Sequence, residues 1–203
     1  MPKCIHENSI QRYSILSTVK RPPFDKEGKL YYYINNHTSQ LSKIHQESEI
    51  EEGFDAWNYH LIEYNLSFER TMFKEQAYLN IWFVGGSTGK TPDPPHQDIL
   101  NDPDLLAYYT GKNIYISDLV NWKDGEFSLR LALEHEVGHA QGIGHTHYRR
   151  DTMYAAYIAG NRITHDTKKA MEYIYGKNMA NKIFFYLQLF FIVLIFYLIL
   201  KYV

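Results

Sequence analysis

The eleven residues from His135 to His145, HEVGHAQGIGH, constrain this chain more than any other stretch of it. Side chains four apart on an α-helix differ by only ~40° around its axis, so His135 and His139 project from one face, a turn apart. Both imidazoles can therefore reach a single ion. Glu136 follows the first of them and is placed to touch water at the same centre. Gly142 lets the backbone leave the helix through a conformation with φ > 0, and the chain then turns back so that His145 can supply a third nitrogen. Three neutral imidazoles leave one coordination position open, which is what a catalytic zinc requires and a structural zinc does not. The added glycine and third histidine make the pattern far rarer by chance than HExxH alone.

The rest of the chain is compatible with one folded domain. It has 203 residues, of which 45% are hydrophobic and 22% charged, the mix of a globular protein and not of a disordered one. A formal charge of -2 gives no support for nucleic-acid binding. The single cysteine, Cys4, excludes an intramolecular disulfide and any cysteine-based zinc module.

Periodicity predicts strands at Leu30–Ile34, Leu66–Phe68, Ala77–Val84, Leu105–Tyr109 and Asn113–Ser117. Ile50, Phe54, Trp57 and Leu61 form one apolar face and predict a helix over Ser48–Ile62. Ser128 is placed to cap a helix running to about Gln141, and Thr164 or Asp166 to cap another ending at Tyr175 before Gly176. Residues 1–28 read as irregular, and Ser87–Pro103, with four prolines, as a long loop. The expected architecture is α+β, a twisted mixed sheet of five strands with three helices over residues 29–177.

Residues 183–200, IFFYLQLFFIVLIFYLIL, carry no charge. At ~1.5 Å per residue they span roughly 27 Å, close to the hydrocarbon thickness of a bilayer. A buried core helix would show a polar stripe, and this segment is apolar all round. The expectation is a C-terminal transmembrane helix acting as a single-pass tail anchor. No export signal is read at the start, so the domain is expected to face the cytosol or a virion interior.

HEVGHAQGIGH, with Met153 eight residues further on in DTMYAAY, resembles the metzincin metalloproteases, and their matrixin (matrix metalloproteinase) branch in particular. The likeness extends over roughly residues 28–176. Phe54 and Trp57 resemble the family's first helix, Leu105-Leu106-Ala107 its substrate-binding edge strand, and Ile163–Gly176 its closing helix. The resemblance implies a metzincin-like (zincin) fold and a zinc-dependent endopeptidase acting on polypeptides. It implies one catalytic zinc held by His135, His139 and His145, Glu136 as general base, and Met153 as the apolar turn beneath the metal. Leu106 and Ala107 would bind substrate, and Tyr157 would line the primed-side pocket.

The chain departs from the family where a second zinc and calcium are usually held. Asp93, His96 and Asp98 are oxygen and nitrogen donors close together there, which leaves a second zinc or a calcium open. Pro2-Lys3-Cys4 resembles part of the family's cysteine switch, so Cys4 is a candidate for occupying the free zinc position, although the rest of the switch motif is missing. The protein is expected to act as a monomer. The competing reading is a catalytically inert, membrane-anchored zinc-binding interaction protein. The intact Glu136 argues against it.

Overall fold

The computed structural model describes residues 13–15, 22–85, 104–176 and position 190. The main sheet contains β2 (Lys29–Ile34), β3 (Ser67–Arg70), β4 (Leu79–Val84), β5 (Ala107–Thr110) and β6 (Asn113–Ser117) in the order β3-β2-β4-β6-β5. Four of its strands run parallel, and the edge strand β5 pairs antiparallel to β6. A separate antiparallel pair joins β1 (Tyr13–Ile15) to β7 (Ile143–Thr146). Three α-helices complete the described residues: α1 (Lys43–Leu61), α2 (Leu129–Ala140) and α3 (His165–Tyr175). The fold is α+β with a mixed five-stranded sheet, as the sequence predicts.

Alternation along the strands sends Leu30, Tyr32 and Ile34 of β2 and Leu79, Ile81 and Phe83 of β4 into the core. All four apolar positions read on α1, Ile50, Phe54, Trp57 and Leu61, are buried there too. Phe54 stacks on Tyr32 with ring centroids 3.7 Å apart, fixing α1 across the sheet. Each such aliphatic or aromatic side chain removed from water stabilises the fold by about 1.5–3 kcal/mol. The helices α1 and α2 approach closely, because a Cβ on Gly53 would stand only 3.1 Å from the carbonyl oxygen of Arg130. The Trp57 indole Nε1 donates to the Glu134 carbonyl at 2.7 Å, so the helix carrying the histidines is bonded to α1 as well as packed on it.

Several boundaries differ from the sequence expectation. Helix α1 begins at Lys43, not Ser48, because the Ser42 side chain accepts from the His45 N–H and caps it earlier. Regular pairing of β5 starts at Ala107, so Leu105 and Leu106 precede the strand, although the Leu106 carbonyl still accepts from Ser117. Strand β1 falls inside the segment read as irregular, and β7 inside the stretch read only as a turn. Both are short, and they pair with each other. The cap of α3 is Thr164, whose hydroxyl accepts from the Asp166 N–H.

Among the described residues no helix is long and apolar enough to cross a membrane. The span expected at 183–200 lies outside the described residues except at position 190, which is helical. Cys4 and the donors Asp93, His96 and Asp98 also lie outside them.

Candidate active site

Helix α2 starts where the sequence places it, with the Ser128 hydroxyl accepting from the Leu131 N–H at 3.2 Å. Two to three turns later its buried face presents His135, Glu136 and His139, which are 6%, 2% and 2% exposed. Gly142, at φ 89°, turns the chain out of the helix, and its N–H donates to the His139 carbonyl. The chain then enters β7, which carries His145. This strand is held by β1 on one side, and its Thr146 N–H donates to the Met153 carbonyl at 2.9 Å. The third histidine and the methionine turn are thus fixed to each other.

The ligand nitrogens of the three histidines lie within 4.8 Å of one another, and Nε2 of His139 is 3.2 Å from Nε2 of His145. Two nitrogens each ~2.0–2.1 Å from one tetrahedral zinc would be about 3.3 Å apart, so this spacing suits a shared ion. The outer nitrogens determine the tautomers. Nδ1 of His135 donates to the Thr152 carbonyl at 2.7 Å, and Nδ1 of His139 donates to the Ile143 carbonyl at 2.8 Å. A carbonyl can only accept, so each Nδ1 carries the proton and each Nε2 presents a lone pair.

The fit to a metal has a second, independent mark. Nε2 of His135 is buried without a hydrogen-bond partner, a condition it shares among the described residues only with Trp82 Nε1. Leaving such an atom without a partner costs about 1–3 kcal/mol, which a metal bond removes. Burial, with the neighbouring His145 imidazole, pushes the His135 pKa down to about 3. That ring is neutral across the ordinary pH range, as a metal ligand must be. The cluster is consistent with a catalytic zinc.

Beside His135 and Glu136 opens a cleft of about 370 Å³, open solvent at its mouth included, lined also by Leu106, Ala107, Leu131 and Tyr157 among others. The structure therefore brings the expected base, metal ligand and substrate contacts to one cavity. The Tyr157 hydroxyl accepts from the Ser128 N–H at 2.9 Å and its ring packs edge-on to Phe127, so it braces the start of α2 as well as lining the cleft. Met153 is fully buried beneath α2. His147 lies exposed, outside the cluster.

Sequence reasoning overlooked three buried polar residues that hold the site. Asp151 is fully buried; its Oδ1 accepts from the Met153 N–H at 2.7 Å and the Thr167 hydroxyl at 2.6 Å, and its Oδ2 from the Thr164 N–H and hydroxyl. It ties the methionine turn to the start of α3. Glu134 and Thr152 are buried and bonded to each other. Burial, partly offset by Thr152 and Arg130, raises the Glu134 carboxyl above its ordinary pKa. The available signal was a carboxylate placed directly after the apolar run LAL and before the first histidine, in LALEHEV.

Three converging histidines with an adjacent carboxylate, on a helix packed against an α+β sheet, form a candidate zinc site. The family model for matrixins (Peptidase_M10: Matrixin) matches residues 23–176, and the chain belongs to the matrixin family of metalloendopeptidases. Matrix metalloproteinase-B of Caenorhabditis elegans is 23% identical over 154 residues, a match covering 63% of this chain and 30% of that protein. The chain thus matches under a third of that relative's length.

Proposed function

We propose that this protein is a zinc-dependent endopeptidase of matrixin type, with His135, His139 and His145 holding one catalytic zinc. The observation that carries the reading is the convergence of three imidazoles with ligand nitrogens within 4.8 Å of one another, two of them with the tautomer fixed by an Nδ1 bond, beside a cleft lined by His135 and Glu136. Bound there, zinc supplies Lewis-acid polarisation of a peptide carbonyl and lowers the pKa of water towards ~7. The chain's own residues do the rest. Glu136 takes the proton of the attacking water as it adds to the scissile carbonyl, and returns that proton to the departing amine.

Substrate would lie extended beside β5, adding backbone hydrogen bonds at the sheet edge. One side chain next to the cut bond would enter the cleft, whose apolar walls at Leu106, Ala107 and Leu131 favour an aliphatic residue. We further propose that residues 183–200 anchor the protein in a membrane from the cytosolic or virion-interior side. Carbonate extraction that left the full-length chain in the membrane pellet would support this, and its release would refute it.

The test is hydrolysis of quenched peptides by the purified full-length chain, with zinc content measured on the same sample. The reading predicts one zinc per chain, cleavage abolished by a chelator and restored by zinc, and inhibition by a hydroxamate. A chain that holds zinc and cleaves no polypeptide would instead be the inert interaction protein.

A further inference from the structure

We propose that Glu134, acting through Thr152, is a positioning residue for the first metal ligand, His135. The inference rests on the zinc reading above and concerns what aims the ligand. Glu134 precedes His135 on α2, and its side chain is almost completely enclosed, 3% exposed. Its Oε1 accepts from the Thr152 hydroxyl at 2.5 Å, while Arg130, one turn earlier, donates to its Oε2 at 3.3 Å. It is absent from the cleft lining that includes both His135 and Glu136, so it acts from behind the ligand.

Thr152 transmits that contact. Its N–H donates to the Arg162 carbonyl at 2.9 Å, its hydroxyl to Glu134, and its carbonyl accepts from His135 Nδ1 at 2.7 Å. Every polar group of the residue is committed, which fixes the carbonyl that orients the imidazole. A carboxylate in this position is costly, since an enclosed charge must be bonded on all sides to be tolerated. Apart from Glu134 and the site residues His135, Glu136 and His139, the enclosed positions of the helix are apolar or glycine, Leu131, Leu133 and Val137 among them. The carboxylate is therefore best explained by the bond it makes. Partners one step behind a metal-bound histidine hold its tautomer and ring angle, and losing them typically weakens metal binding about 10- to 100-fold. The Trp57 bond to the Glu134 carbonyl holds the helix backbone independently, so side-chain changes at 134 can be tested without displacing α2.

The test measures zinc affinity of the full-length chain by competition with a chromophoric chelator, together with the absorption spectrum of the cobalt-substituted protein. Neither readout requires peptide hydrolysis. Glu134→Ala and Thr152→Val should each weaken zinc binding about 10-fold and shift the cobalt bands. The double variant should lose no more than either single one, because both remove the same bond. Glu134→Gln and Thr152→Ser, which keep an acceptor and a hydroxyl, should stay within about threefold of wild type. If Glu134→Ala fails to fold, Thr152→Val against Thr152→Ser makes the same comparison. Wild-type affinity and an unchanged cobalt spectrum in Glu134→Ala and Thr152→Val, or losses that multiply in the double variant, would overturn the proposal and leave the zinc reading standing. A wild-type chain that binds no zinc would overturn both.

Discussion

The sulfur of Met153 lies directly beneath Gly138, so close that a Cβ on that glycine would stand 2.2 Å from it and 2.8 Å from the Trp57 ring. Gly138 sits between the two helical histidines, and its missing side chain lets the methionine turn press against the helix that carries them.

Gly138→Ala should therefore destabilise the domain by about 1–3 kcal/mol, despite the better helix propensity of alanine. Met153→Ala alone should cost about 2–5 kcal/mol through the cavity it leaves. Combining them should cost clearly less than the sum, since the added methyl occupies the vacated space. Urea denaturation of the four proteins checks this; strict additivity would mean that the two residues do not share this contact.

Asp151 accepts hydrogen bonds from Met153, Thr164 and Thr167 while fully buried. Asp151→Ala strands those donors and should cost about 3 kcal/mol or more. Asp151→Asn, which keeps an acceptor, should fall between the two in thermal melts. A loss under about 1 kcal/mol for alanine would show that the turn does not depend on this carboxylate.

Glu47 on α1 is bonded to Arg70 on β3 at 2.8 Å, with His37 and Lys43 also facing it. The Arg70 guanidinium outweighs partial burial and holds the Glu47 carboxyl below its ordinary pKa of 4.5. A carboxyl depressed in the folded state adds stability above its unfolded pKa and loses it as pH falls through the folded one. Glu47→Gln should thus cost up to about 1 kcal/mol at neutral pH, with the difference from wild type fading below about pH 4. A difference constant from neutral pH to pH 3 in urea titrations would contradict this.

Much of this arrangement was legible in the amino-acid order, and for a physical reason. Ligand spacing on a helix is a local property, so His135, Glu136 and His139 could be placed on one face from sequence alone, and Gly142 marked the turn that delivers His145. The apolar periods of α1 and of strands β2 and β4 were equally readable, because one side of each element is enclosed. What escaped was set by distant partners. Strand β7, Ile143–Thr146, has glycine and histidine at its centre and shows no strand pattern; it is held by pairing with β1 and by the Thr146 bond to the Met153 carbonyl. Asp151 and Thr152 look like ordinary loop residues until Thr167 and Glu134, 16 and 18 positions away, come to meet them. Spacing within an element was visible; bonds between elements were not.

Substitution of Glu136 by glutamine, assayed for zinc content and peptide hydrolysis on the same preparation, tests the central claim most directly. The side chain keeps its size and loses its basicity. The account predicts one zinc per chain in both proteins and turnover in the variant lower by about 100- to 10,000-fold. A Glu136→Gln protein that cleaves peptides as fast as wild type would contradict it.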